Sequence, residues 1–183
     1  KSEEDNTLLP PNNSEFQGSN WIIKTLNSRI SKVPAGVRLR VNHLQNLKSD
    51  LQTHGWTGIK GNLDFLERFS EFSGVVEGPM GKVTWFVVHE DQQNQKQTGV
   101  YVTGGHVAQI YQNEFYGRRA SRMLQHFGIN FTSKRVVLLV EPNENLNAYP
   151  NTARTELQIG YGELGEGVPF PWYDFADQFR SKM

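Results

Sequence analysis

The sequence predicts an α+β fold. Three features predict it: an unbroken apolar run at Val136-Val-Leu-Leu-Val140, hairpin-like pairs of β-rich segments in the middle of the chain, and helical spacing of apolar residues near both ends. Hairpins followed by a helix, a strand and a loop argue for one mixed sheet with helices packed on one face, closing in a strand–helix–strand–loop order.

Residues 1–18 are polar and unpatterned, with Pro10-Pro11 and Asn12-Asn13-Ser14, and read as a linker at the edge of a piece of a longer protein. A natural disordered tail is the alternative. A single domain is expected over 19–183. Its first element is a short helix over 21–30, in which Ile22, Leu26 and Ile30 share a face. Pro34-Ala35-Gly36 is a turn, and 37–41 alternates as a half-buried strand. Phe65, Leu66, Phe69 and Phe72 line one face of a helix over 63–72 that Gly74 ends.

Strands dominate the middle. Val75-Val-Glu77 turns through Gly78-Pro79-Met80-Gly81 into 82–89 as a hairpin, and a Gln- and Asn-rich loop follows over 90–98. Gly104-Gly105 reads as the tight turn of a second hairpin between 100–103 and 106–111. Ala120, Met123, Leu124 and Phe127 give a helix over 117–127, with Gly128 at its C-terminal end. The buried strand 136–140 comes next and stops at Pro142, which has no N–H for a sheet ladder. Trp172, Phe175, Ala176 and Phe179 then define a C-terminal amphipathic helix.

Composition excludes several classes. Nineteen Lys and Arg balance nineteen Asp and Glu, so no global field favours nucleic acid or an acidic substrate. The absence of cysteine excludes disulfides and thiolate zinc sites, and fits a reducing compartment. With no signal peptide and no apolar run of bilayer length, a soluble, cytoplasmic protein without a membrane partner is expected. The five histidines show no metal-ligand spacing, although His89 and His106 could face each other across the sheet. Glu114 with Glu141, or Asp174 with Asp177, are candidate carboxylate pairs; the latter two are more simply the polar face of the last helix.

Two candidate sites remain. The loop after the buried strand runs Asn143-Glu-Asn-Leu-Asn-Ala-Tyr-Pro-Asn-Thr-Ala-Arg-Thr-Glu-Leu-Gln158, with Asn151 or Thr152 as the N-cap of a short helical segment carrying Arg154, Glu156 and Leu157. A guanidinium on a loop tip, delivered by a rigid strand, suits a phosphate; the alternative is a surface ion pair with Glu156 or Glu144. The second candidate is the basic set Arg118, Arg119, Arg122, Lys134 and Arg135, with Tyr111, Phe115 and Tyr116 nearby for base stacking. A solvated helix face and strand-edge charges are the alternative for that set.

The Arg154 loop resembles the end of the middle, or transducer, domain of GHKL-superfamily ATPases, the gyrase, heat-shock chaperone, histidine kinase and MutL group. Against the chaperone pattern Asn-Val-Ser-Arg-Glu-Met-Leu-Gln, this chain reads Asn151-Thr-Ala-Arg-Thr-Glu-Leu-Gln158, with Asn151, Arg154, Leu157 and Gln158 in register. Against the mismatch-repair pattern Asn-x-His-Pro-x-Lys-x-Glu-Val, Asn147-Ala-Tyr-Pro150 precedes Arg154-Thr-Glu156-Leu. The resemblance covers about the last third of the chain before its final helix. It implies that Arg154, with Asn151 beside it, meets the γ-phosphate of ATP held with Mg²⁺ by an upstream ATPase domain of the same gene. Gly-rich phosphate loops, an Asn box for Mg²⁺ and an Asp-x-Gly-x-Gly adenine site are absent, so this chain alone should bind no ATP. The glycine cluster 160–167 carries glutamates that would repel phosphate and reads as a flexible loop. The rival class is a non-enzymatic module that binds nucleic acid or protein through the basic 118–135 surface. A homodimer is a further alternative, since nothing in the sequence sets the oligomeric state.

Overall fold

The apolar run at 136–140 is the central strand of a five-stranded sheet, and every one of its side chains is buried. The computed structural model describes residues 21–42, 56–90, 104–160 and 167–182. In chain order these form α1 (Trp21–Arg29), β1 (Arg40–Asn42), β2 (Trp56–Gly58), α2 (Asn62–Phe69), β3 (Ser70–Gly78), β4 (Gly81–Val88) and β5 (His106–Tyr111). Then follow β6 (Glu114–Ala120), α3 (Arg122–His126), β7 (Val136–Pro142), β8 (Ala148–Pro150), β9 (Leu157–Ile159), β10 (Val168–Pro169) and α4 (Trp172–Arg180).

The main sheet has the order β3-β4-β7-β5-β6 and is mixed: β5 runs parallel to β7, and the other neighbours are antiparallel. β10, β9 and β8 form a small antiparallel sheet, and β1 pairs with β2. The α+β class and the mixed sheet are therefore as the sequence predicts. The helices, however, lie on both faces rather than one. Side chains alternate along a strand, so Val136, Leu138 and Val140 pack with Leu124 and Phe127 at α3 and with Phe175 and Phe179 of α4. Val137 and Leu139 meet Phe65 and Leu66 of α2 on the opposite side. A strand covered on both faces needs no polar alternation, which is why β7 reads as a continuous apolar run.

The hairpin through Pro79 and Met80 forms as expected, with Gly78 opposite Gly81. Only glycine fits at Gly81, where φ is +152° and a Cβ would lie 2.2 Å from the Glu141 carbonyl oxygen. α4 also forms as expected, with Trp172, Phe175, Ala176 and Phe179 all buried. The Phe179 ring occupies the space over Gly78 where a Cβ would sit 2.8 Å from it, and each such aromatic stabilises the fold by roughly 1.5–3 kcal/mol through burial.

Three local expectations are corrected. α1 buries Ile23 and Asn27 rather than Ile22, Leu26 and Ile30, because the Asn27 Oδ1 accepts the backbone N–H of both Lys60 and Gly61 at 3.1 Å. α2 stops at Phe69; Ser70 is already extended, and Phe72, on β3 and 61% exposed, pairs with Val87 of β4. The helix expected over 117–127 shrinks to α3, because pairing with β5 draws the chain as far as Ala120 into β6. β5 and β6 are joined through Gln112 and Asn113, both at positive φ (49° and 65°), the pattern of a primed two-residue hairpin turn.

Residues 1–18, the loop at 91–98, the proposed strand at 100–103, His43, His54 and the glycine-rich 161–166 lie outside the described residues. His89 and His106 do not face each other, since β7 runs between β4 and β5. Among the described residues no helix is long and apolar enough to cross a membrane.

Candidate functional site

β7 ends at Pro142, and the chain passes through a 3₁₀ turn (Glu144–Leu146) into β8. Strands β8 and β9 pair antiparallel, Pro150 opposite Leu157, so residues 151–156 form the loop of a hairpin. No helix begins at Asn151 or Thr152. The Asn151 Oδ1 accepts the backbone N–H of Thr155 at 2.9 Å and of Glu156 at 3.3 Å, and its Nδ2 donates to Thr155 Oγ1 at 3.1 Å. An Asn side chain that satisfies the backbone locally competes with helix formation, and Leu157, 1% exposed, is drawn into β9 instead.

Arg154 stands on this loop at φ +53°, a left-handed conformation uncommon for a residue with a Cβ. Its Nη2 donates to Glu114 Oε2 at 2.9 Å and to the Tyr116 hydroxyl at 3.1 Å, and that hydroxyl donates to the same carboxylate oxygen at 2.7 Å. Glu114 and Tyr116 are two residues apart on β6. Arg29, at the end of α1, donates from Nη2 to the Arg154 carbonyl oxygen at 3.0 Å. The Arg154 side chain remains 62% exposed, and among the described residues its Nη1 and Nε donate to nothing.

The charges in this cluster tune one another. The Tyr116 hydroxyl, and after it the Arg154 guanidinium, hold the Glu114 carboxyl below its ordinary range. Burial pushes the Tyr116 phenol up, and its hydrogen bond to Glu114 pushes it further. Glu114 in turn raises Arg154.

The ion-pair partners expected for Arg154 are thus replaced. Glu156 pairs with Arg119 at 2.9 Å, and Arg119 also lies 5.8 Å from the centre of the Trp172 ring. The basic set does not assemble into one groove. Arg118 and Arg119 are neighbours on β6, yet Arg118 lines a cleft with Ala108 and Phe115 on the α2 side of the sheet, whereas Arg119 lies against Trp172 of the other core. Arg135 is tied to the Val88 carbonyl oxygen at 2.9 Å and to Glu71, while Arg122 and Lys134 are exposed at the starts of α3 and of the turn before β7. Tyr116 is buried, which removes it as a stacking platform. Glu141 pairs with Lys82 at 3.0 Å, so it forms no carboxylate pair with Glu114.

Beside the Arg154 loop is a cleft of about 270 Å³. Its floor is His106 and Ala108 of β5, its walls include Phe115 and Arg118 of β6, and Ser28 and Arg29 close it from α1. Glu114 and Tyr116 enter the sequence reading only as a carboxylate paired with Glu141 and as a stacking ring; their joint hold on Arg154, the part played by Arg29 and this cleft escape it. The available signal was the i, i+2 spacing of Glu114 and Tyr116, legible only once 114–120 is recognised as a strand.

Compared with known proteins, the chain matches no family model, and no curated protein matches it.

Proposed function

We propose that this chain is the nucleotide-state transducer of a larger GHKL-type ATPase of the cytoplasm, in which Arg154 contacts the γ-phosphate of ATP bound with Mg²⁺ by an upstream domain. The observation that carries this reading is how Arg154 is held: a guanidinium oriented through one nitrogen by Glu114 and Tyr116, with Nη1 and Nε left for an incoming oxyanion. Arg29, Arg119 and Arg154 against Glu114 and Glu156 leave this cluster one net positive charge, which favours a phosphate group over a neutral ligand. A preorganised cation of this kind neutralises charge that develops on a transferring phosphoryl group, and it holds two domains together only while that phosphate is present. The division of the basic set between two faces gives the nucleic-acid alternative no comparable support.

The test is steady-state ATP hydrolysis by the protein carrying both domains, with ADP affinity as the control. Arg154→Ala is expected to lower turnover by about two to three orders of magnitude and to leave ADP affinity unchanged, since ADP lacks the group touched. Arg154→Lys is expected to restore part of the rate, because an ammonium supplies the charge without the planar fork. Equal rates in wild type and Arg154→Ala would refute the reading.

A further inference from the structure

Two groups of the main sheet hold the strand that leaves the Arg154 loop, and they adjoin at an irregularity in β6. Val107 stands opposite Arg119 and Gln109 opposite Tyr116, so Gly117 and Arg118 together face Ala108. The extra residue makes a β-bulge with a glycine in its left-handed position, Gly117 at φ +53°. The Gly117 N–H donates to the Thr155 carbonyl oxygen at 2.8 Å, one residue beyond Arg154. Gln109, fully buried on β5, accepts the Leu157 N–H on its Oε1 at 3.3 Å.

The second bond meets a need that the small sheet leaves open. Leu157 is 1% exposed; β8 offers only Pro150 opposite it, and β10 pairs with Gln158 and Ile159. A buried N–H without an acceptor is costly, and Gln109 supplies the acceptor. The two groups also depend on each other. A Cβ at position 117 would lie 2.5 Å from the Gln109 Oε1 and 3.2 Å from the Trp172 ring, so only glycine leaves room for the amide. Among the described residues the Gln109 Nε2 donates to nothing. An apolar side chain of that size would fill the space with no idle donor, so what the amide contributes is its bond to Leu157.

We infer that Gln109 and Gly117 are positioning residues for Arg154: they seat Thr155 and Leu157 against β5 and β6, and so fix where the guanidinium stands beside Glu114 and Tyr116. Arg154 precedes Thr155 and Tyr116 precedes Gly117, so the bulge sets both halves of the Arg154–Tyr116 contact. Arg29 holds the Arg154 carbonyl oxygen from the α1 side. The consequence for hydrolysis rests on the γ-phosphate contact proposed above, whereas the positioning is measurable on the chain alone.

The experiment follows the Glu114 carboxyl by NMR titration and the Leu157 amide by hydrogen exchange. The Tyr116 hydroxyl, and after it the Arg154 guanidinium, hold that carboxyl below its ordinary value of 4.5, so its titration reports whether Arg154 is in place. Gln109→Met keeps the length of the side chain and removes the acceptor. It is expected to raise the Glu114 titration toward that of Arg154→Ala and to speed Leu157 exchange about tenfold. Added to Arg154→Ala, it should raise Glu114 no further, since it acts through the guanidinium. Gly117→Ala, which drives a methyl group against the amide, is an independent second variant and should give the same rise. Val83→Ala, a core change on β4 that lowers stability away from the loop, should leave the Glu114 titration unmoved. A folded Gln109→Met with wild-type Glu114 titration, or an equal rise in Val83→Ala, would overturn the assignment. In the protein carrying both domains, Gln109→Met is expected to lower ATP turnover by about one to two orders of magnitude with ADP affinity unchanged. Wild-type turnover in Gln109→Met beside a defective Arg154→Ala overturns the positioning role and leaves the γ-phosphate contact standing. Wild-type turnover in both, with Glu114 shifted in Gln109→Met, removes the γ-phosphate contact and leaves the positioning.

Discussion

Glu114 and Arg154 lie 40 residues apart in the chain and meet at 2.9 Å, with the Tyr116 hydroxyl bonded to both. The contact joins the edge strand β6 of the main sheet to the β8–β9 hairpin loop, so the loop's cation is positioned by the sheet rather than by its own hairpin. Because both charged groups are exposed, the pair orients more than it stabilises.

That relationship makes the pair sensitive to acid. Glu114 has a depressed carboxyl in the folded chain, so its contribution is fully present above its ordinary value of 4.5 and is lost as pH falls through the folded value. Tyr116 is raised, so its contribution is present below 10.0 and lost as pH rises above it. Denaturation midpoints of wild type and Glu114→Gln, followed from neutral to acid pH, should show a small gap that closes below about pH 4.5 and shrinks with added salt. A gap independent of pH would mean that the carboxylate's charge is not what matters.

Asn151 is predicted to hold the loop. Asn151→Ala leaves the backbone N–H groups of Thr155 and Glu156 without their side-chain acceptor and should lower stability by about 1 kcal/mol. Asn151→Asp keeps the acceptor oxygen and should cost less. Chemical denaturation of the two variants checks the order, and the reverse order would show that the Nδ2 contact to Thr155 is the important one.

The C-terminal helix is predicted to be part of the main core. Phe175 is fully buried, 4.9 Å from Phe179 and 5.4 Å from Phe170 by ring centres. Phe175→Ala should therefore cost about 3–5 kcal/mol, while Asp177→Ala on the exposed face of α4 should stay within about 0.5 kcal/mol. Equal midpoints for the two would mean that α4 contributes little to the core.

The isolated chain is predicted not to bind ATP. It lacks the glycine-rich phosphate loops and adenine-site motif that a nucleotide domain of this superfamily would supply. Calorimetry with ATP and Mg²⁺ should show no saturable heat, and a micromolar site would contradict the proposal that the nucleotide is held by another domain.

What local patterning could encode was legible beforehand. The continuous apolar stretch of β7, the Gly-Pro-Met-Gly hairpin and the i, i+3, i+4, i+7 face of α4 each depend on residues close in sequence, and burial follows from their spacing alone. The departures share a different cause. Phe72 and Gly117 to Ala120 carry helical spacing but become strand, because β4 and β5 offer hydrogen-bonding partners that no local pattern contains. Arg154 was legible as a cation on a loop after a rigid strand, and Asn151 as a capping side chain. That Asn151 closes a hairpin loop instead of a helix, and that Arg154 is oriented by Glu114 and Tyr116 instead of Glu156, was decided in three dimensions. Side-chain periodicity records which face of an element is buried; it holds no record of which residue forty positions away will be brought alongside.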